Sequence, residues 1–260
     1  MTGVEEHMRA RDFAGRTALV IGAGAGIGRA TAIAFAERGA RVMTADLSLA
    51  DAEETAALVH AAGGVAEAIQ CDATQSEMVD RLVLKTLERF GSLDFAHNNV
   101  GAGNGKPLED LTEQDYEWIS DASFKSVFLG MRYQLPVMRA HGGGVVVNTA
   151  SMAGISTVQT ADIVYAGSKA AVMQMTAHAA RTYGQYNIRV NCIAPGLVAT
   201  KIVNGMFSPE QQIAMAADHL FPRLVKPEEV AAAVVFLCSD QAAMISGHVL
   251  PVDGGMIAKR

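Results

Sequence analysis

The 260-residue chain is predicted to fold as one doubly wound α/β domain, an open parallel sheet of about seven strands with helices on both faces. Three observations predict it. Short, nearly continuous apolar runs recur along the chain, as strands covered on both faces require. Longer amphipathic stretches alternate with them. No linker, internal repeat or low-complexity segment interrupts the alternation.

The strands are expected at 17–22 (TALVIG), 41–46 (RVMTAD), 66–71 (AEAIQC), 93–98 (LDFAHN), 144–150 (GVVVNTA), 188–194 (IRVNCIA) and 248–253 (HVLPVD). Between them lie helical patterns such as IGRATAIAFAERG, SEMVDRLVLKTLERFG, the long QDYEWISDASFKSVFLGMRYQLPVMRAH, YAGSKAAVMQMTAHAARTYG and PEEVAAAVVFLCSD. Thr112 with Asp115 resembles a capping box, and Gly39, Gly91 and Gly184 stand where helix C-caps belong. Residues 1–12 are polar and mixed in charge and read as a flexible lead-in; 13–260 form the domain.

Composition excludes several function classes. Half the residues are hydrophobic and 18% are charged, which suits a sizeable core. A formal charge of -6 with no basic cluster gives no footprint for nucleic acid. The N-terminus lacks the apolar core of a signal peptide, and no run of about 18 apolar residues offers a membrane span. Cys71, Cys192 and Cys238 form no CxxC pair and read as reduced thiols of a cytoplasmic protein. No histidine spacing suggests a metal site.

The chemistry begins after the first strand. Gly22, Gly26 and Gly28 in VIGAGAGIGRA let the backbone turn tightly and leave the start of the next helix open to a pyrophosphate. The second strand ends in Asp46, placed to accept hydrogen bonds from adenosine ribose hydroxyls. An acid there repels the 2′-phosphate of NADP, and neither Ala25 nor Leu47 offers a compensating cation. NAD(H) is therefore the expected cofactor. Further on, YAGSK sets Tyr165 and Lys169 four positions apart, on one face of a helix. Taken alone, that pair is equally a feature of a solvated surface helix.

Taken together and in this order, the glycine turn, Asp46, NNVG at 98–101, NTASMAG at 148–154, YAGSK and RVNCIAPG at 189–196 resemble the short-chain dehydrogenase/reductase family. The resemblance runs from about Phe13 to Ile257. It implies a Rossmann-type domain that transfers a hydride between nicotinamide and a carbonyl or alcohol. It assigns catalysis to Ser151, Tyr165 and Lys169, with Ser123 in SFKSVF standing where the family usually has Asn. Ser123 is expected to keep a proton relay that starts at the lysine. Cofactor contacts implied by the resemblance are Gly22, Gly26, Ile27, Gly28, Asp46, Asp72, Ala73, Asn98, Val100, Gly101, Tyr165, Lys169, Pro195, Gly196, Val198 and Thr200. Lys169 is expected to lower the pKa of the Tyr165 phenol towards the working pH, and Ser151 to bond the substrate oxygen.

Two further departures from the family pattern stand out. Ile21 replaces a threonine whose hydroxyl ties the glycine turn to a neighbouring loop, so packing is expected to hold the turn. Val100 replaces an alanine beside the cofactor. Residues 200–222 are expected to form a substrate lid, with Ile202, Val203, Met206, Phe207 and Met215 as lining candidates. Met152, Val158, Gln159 and Asn104 are expected to complete the pocket around Ser151 and Tyr165. A neutral, rather apolar secondary alcohol or ketone is the expected substrate. A 3-ketoacyl thioester reductase and a non-enzymatic NAD-binding sensor are the competing readings. The family also implies a homotetramer, with the small residues Ala170, Ala171 and Ala177 suited to close helix packing.

Overall fold

A computed structural model describes residues 12–158, 160–200, 203, 205, 207–217 and 219–259. Gln159, Ile202 and Met206, named above, lie outside the described residues, as do residues 1–11 and the side chain of Met215.

All seven expected strands form, within a residue or two of their expected bounds. They are β1 (Thr17–Ile21), β2 (Arg41–Asp46), β3 (Val65–Gln70), β4 (Phe95–Asn98), β5 (Gly144–Thr149), β6 (Ile188–Pro195) and β7 (Val249–Val252). They make one parallel sheet in the order β3-β2-β1-β4-β5-β6-β7. The helices between them are α1 (Gly26–Glu37), α2 (Leu49–Ala61), α3 (Ser76–Phe90), α4 (Glu113–Ser120), α5 (Ser126–Ala140), α6 (Ile163–Tyr183), α7 (Pro209–Ala216) and α8 (Pro227–Cys238).

Strand alternation sorts the core into two layers. Leu19, Ile21 and Met43 face one way, against Val79 and Leu82 of α3, Val127 of α5 and Val172 of α6. Ala18, Val20 and Val42 face the other, against Phe35 of α1, Val59 of α2 and Val230 and Val234 of α8. Every residue of β1 is buried, so no polar alternation survives in its sequence.

The strand order reverses between β1 and β4, where the chain crosses to build the other half of the sheet, and parallel α/β sheets bind ligands in the crevice at such a point. Register places the key ends together: Ile21 pairs with both Ala45 and Asn98, so the segments after β1, β2 and β4 leave the sheet side by side.

Three local features refine the expected elements. The Thr112–Asp115 capping box opens α4, with Thr112 Oγ1 accepting from Asp115 N–H at 3.1 Å. The long helix expected through 114–141 is broken by a five-residue π turn, Asp121–Lys125, between α4 and α5. Gly91 caps α3 in the left-handed region, at φ 80°, but Gly184 keeps a right-handed φ of -56°. A short 3₁₀ turn, Gly184–Tyr186, carries the chain onward, and Asn187 at φ 60° makes the left-handed exit that was expected at Gly184. Asparagine tolerates that conformation better than most residues.

Candidate active site

The glycine turn closes very tightly. Gly22 has φ 82°, and a Cβ on Gly28 would stand 1.9 Å from the Gly22 carbonyl oxygen. Ala25 precedes α1 and supplies no side-chain cap, so the first N–H groups of α1 face the crevice without an internal partner. A pyrophosphate fits that arrangement on charge and on space. Asp46 stands at the head of it. Its Oδ2 accepts from Gly24 N–H at 2.8 Å and its Oδ1 from Ser48 N–H at 3.1 Å, which leaves carboxylate lone pairs for two neighbouring hydroxyls.

One cation near the turn is not evident from motif spacing. Arg29 of α1 reaches back to the Gly24 carbonyl. Its guanidinium is also held by Glu54 at 2.6 Å and Thr55 Oγ1 at 3.1 Å. These bonds commit it to the turn and to α2.

The turn is held by hydrogen bonds as well as by packing, which corrects the expectation drawn from Ile21. Asn99 Nδ2 donates to the Gly22 carbonyl at 3.2 Å, and Asn99 N–H donates to the Ile21 carbonyl at 3.0 Å. Behind Asn99, Thr149 Oγ1 donates to Asn99 Oδ1 at 3.1 Å and accepts from His97 Nε2 at 2.9 Å. Burial drives His97 down to about 3, so the ring is neutral. Because the threonine proton goes to Asn99, the histidine proton sits on Nε2.

Asn98, expected as a cofactor contact, has its side chain spent elsewhere. Its amide exchanges hydrogen bonds with Gln134 and donates to Asn148 Oδ1 at 2.9 Å, inside the core. Only its backbone is left to meet a ligand. Val100 packs its Cγ2 over Gly22, 3.1 Å from where a Cβ would project.

Ser151, Tyr165 and Lys169 come together where β5 and α6 meet. Ser151 follows β5 and caps a short 3₁₀ turn, Met152–Gly154. Its hydroxyl is hydrogen-bonded to the Tyr165 phenol. Lys169 is 1% exposed. Its Nζ donates to the Thr149 carbonyl at 2.8 Å and the Val100 carbonyl at 3.3 Å, and lies 5.7 Å from the centre of the Tyr165 ring. Gly101 makes room for it, since a Cβ there would stand 2.7 Å from Nζ. Two of the three ammonium protons are therefore used, and one remains.

The pKa directions differ from the expected one. Burial raises the Tyr165 phenol above its ordinary value; the Ser151 hydrogen bond pulls it down and the charge of Asp162 pushes it up. Lys169 is itself pushed down to about 8 by burial, against a small upward pull from Cys192. In the chain by itself burial of the phenol outweighs any acidifying influence, so the net direction is upward.

Ser123 lies in the π turn and is fully buried. Its Oγ donates to the Ala102 carbonyl at 2.8 Å and accepts from Ala102 N–H at 3.0 Å. It stands near the lysine, 3.7 Å from where a Cβ on Gly101 would project, and its one proton is committed.

The remaining expected contacts fall around the same crevice. Pro195 ends β6, and Gly196 packs against Asp253 and His219. Val198 forms an isolated bridge with Val225, and Thr200 touches the glycine turn near Gly26. Ile27 is partly buried against the α1 face of the core, and Ala73 is buried against the opposite layer. Asp72 accepts from both Thr74 N–H and Thr74 Oγ1. Met152 corrects the expected pocket: at 1% exposure it packs with Ala194 and Met256 as core, and Val158 packs against that cluster. Asn104 bonds Asp115 at 2.8 Å. In the lid segment Val203 and Phe207 are partly buried, while Ile213, Leu220 and Phe221 are exposed.

Comparison with known proteins decides the family. A family model described as Enoyl-(Acyl carrier protein) reductase matches residues 22–257. The chain is 36% identical to levodione reductase of Leifsonia aquatica, over 95% of this chain and 96% of that one. The chain belongs to the short-chain dehydrogenase/reductase family. Within that family it is 34% identical to cyclohexanol dehydrogenase of an Acinetobacter species, over 98% of this chain and all of that one. A solved 7α-hydroxysteroid dehydrogenase, complexed with NADH and 7-oxo glycochenodeoxycholic acid, superposes with a TM-score of 0.89 at 34% identity and 96% coverage of each chain. The short-chain dehydrogenase/reductase relatives include dehydrogenases of secondary and cyclic alcohols, and this chain is an oxidoreductase of the family.

Proposed function

We propose that the protein is an NAD(H)-dependent dehydrogenase/reductase that interconverts a neutral, rather apolar secondary alcohol and its ketone, with Tyr165 as acid and base. The observation that carries this reading is the meeting of Ser151, Tyr165 and Lys169 beside a glycine turn headed by Asp46. Cyclic secondary alcohols are the first candidates, since cyclohexanol and 7α-hydroxysteroid dehydrogenases match along nearly their whole length.

When bound, the nicotinamide supplies the chemistry of hydride donation or acceptance. The remaining work falls to the chain. Tyr165 Oη gives the proton to a forming alkoxide during reduction and takes it back during oxidation. Ser151 Oγ donates to the substrate oxygen and stabilises its charge. The third N–H of Lys169 is left for a ribose hydroxyl. Its ammonium, with the positive charge of the oxidised ring, favours phenolate during alcohol oxidation. Ser123 holds the backbone at Ala102 and has an acceptor lone pair for a water leading from the lysine. Asp46 accepts from ribose hydroxyls and repels a 2′-phosphate.

The charge at Arg223 supports a neutral substrate. Arg223, which flanks the lid segment, is bonded to Glu229 at 2.6 and 2.8 Å and is not free for an anionic head group. We also infer a cytoplasmic homotetramer, which light scattering on the purified protein tests; among the described residues no helix is long and apolar enough to cross a membrane.

The deciding experiment is NADH absorbance with a panel of cyclic and aromatic secondary alcohols, run with NAD+ and NADP+ in parallel. Turnover with NAD+ is expected. Better use of NADP+ overturns the reading of Asp46. NADH binding without turnover of any alcohol or ketone in the panel points to a sensor.

A further inference from the structure

The segment 103–105 packs against the base of the Tyr165 side chain at Gly103. A Cβ on Gly103 would stand 3.2 Å from Tyr165 Cγ, 3.3 Å from Tyr165 Cβ and 3.0 Å from Asp162 Oδ2. The next amides are fixed by one carboxylate. Asp162 Oδ2 accepts from Asn104 N–H at 3.0 Å and from Gly105 N–H at 3.2 Å. Its other oxygen, Oδ1, caps α6 by accepting from Tyr165 N–H at 2.7 Å. Asp162 is 3% exposed, although Gly103 and Gly105 are exposed. No cation is bonded to it among the described residues. The nearby lysine of the strap, Lys106, is bonded to Asp115 at 2.9 Å.

The far end of the strap is held in the same way. Asn104 Nδ2 donates to Asp115 Oδ1, and Asp115 closes the capping box of α4. The strap thus runs between the N-terminal caps of two helices, with the base of the Tyr165 side chain against it.

We propose that Asp162 is a positioning residue: it clips the 103–105 strap onto the first turn of the Tyr165 helix and so fixes the ring that exchanges the proton. This rests on Tyr165 being the acid and base. A helix cap needs one acceptor. Asp162 uses its second oxygen on a loop 57 and 58 residues away in sequence, which capping alone does not require.

The carboxylate also acts on the phenol through its charge, which disfavours phenolate. The other charged or titratable groups around the pair are Lys169 on the same helix, Cys192 of β6 beyond the lysine, and the bonded Lys106 and Asp115 of the strap and α4. Of these, only Asp162 places a negative charge against the ring among the described residues. The arrangement suits ketone reduction near neutral pH, where a protonated phenol is required, and sends alcohol oxidation to higher pH.

The test uses two variants of the full chain. Asp162→Ser keeps a cap but cannot reach the strap. Asp162→Asn keeps shape but loses charge and one acceptor. Hydrogen–deuterium exchange read over 101–107 is expected to speed up in both variants, while exchange over α6 stays slow in Asp162→Ser. Ketone reduction is expected to fall by about 10- to 100-fold in kcat, as misplacement of a reacting group does, with NADH affinity unchanged. In both variants the rising limb of kcat/KM for alcohol oxidation moves to lower pH, because a negative charge beside the phenol is gone. Unchanged exchange over 101–107 in Asp162→Ser overturns the clip, whether or not the enzyme turns over. Loss of NADH affinity in step with kcat assigns Asp162 a general structural role and also overturns it. Full activity in Tyr165→Phe sinks the parent reading of the mechanism, and the exchange result still decides the clip.

Discussion

Asn99 and Gly22 are 77 residues apart in sequence and joined by a 3.2 Å hydrogen bond from the Asn99 amide to the Gly22 carbonyl. That bond lies at the turn proposed to hold the cofactor's pyrophosphate. It is the last link of a buried series that starts at His97 and passes through Thr149. The turn thereby gains polar support that its own residues lack.

Thr149→Val removes the middle link at constant size. It leaves His97 Nε2–H without an acceptor and frees the Asn99 amide to turn. A buried polar group left unpaired costs about 1–3 kcal/mol. NADH binding, followed by fluorescence titration, is expected to weaken about tenfold. Thr149→Ser keeps the hydroxyl and is expected to bind as the parent does. Equal affinity in the valine variant would remove the series from any role in the cradle.

Gly28→Ala places a methyl group 1.9 Å from the Gly22 carbonyl oxygen. Backbone has to move, and overpacking of this kind costs about 1–3 kcal/mol. The expected result is a lower melting temperature together with loss of NADH affinity. A variant that binds NADH normally contradicts the closeness of the turn.

Ser123→Ala removes both hydrogen bonds to Ala102, the neighbour of Gly101. Catalysis at neutral pH is expected to fall while NADH affinity holds, because the affected backbone borders the lysine and not the phosphate turn. Stability is expected to drop by about 1–3 kcal/mol for the unpaired Ala102 groups. An unchanged turnover number rejects the catalytic assignment of Ser123.

Lys169 gives a pH signature. Its pKa is about 8 when folded and 10.5 in its unperturbed state. Between those values the unfolded chain binds more protons, so this group makes the folded chain more stable as pH rises from about 8 to about 10.5. Relative to Lys169→Met, the parent is expected to gain about 3 kcal/mol over that window. Paired urea melts at the two ends of the range measure it. A constant difference between the two proteins shows that the ammonium is not desolvated.

The strands were legible because burial on both faces writes continuous apolar runs, as in TALVI of β1 and VVVNT of β5. The Ser151, Tyr165 and Lys169 set was legible only through the ordered family motifs, since the shared helix face of Tyr165 and Lys169 alone fits a surface helix equally well. Other parts depend on partners that local sequence cannot name. The support for Gly22 comes from an amide on another strand end, so Ile21 gave a misleading signal. Met152 reads as a pocket residue until Ala194 and Met256 are seen to cover it. Asp162 carried a usable sign, an acid three positions before Tyr165 where a helix cap belongs, but nothing local announces its grip on Asn104 and Gly105. The break at Asp121–Lys125 escapes periodicity because a single π turn barely disturbs the apolar pattern on either side.

That break fixes how far this part of the chain can be edited. Each residue of an α-helix turns the axis by about 100°. Deleting one residue between 121 and 125 would straighten the rod, but it would also rotate everything before the cut by that angle relative to everything after it. Trp118, now largely exposed, would turn into the buried place of Ile119, and Ile119 would turn out of it. The irregular turn therefore works as a fixed phase offset between two cylinders, and shortening the chain there disturbs both ends together.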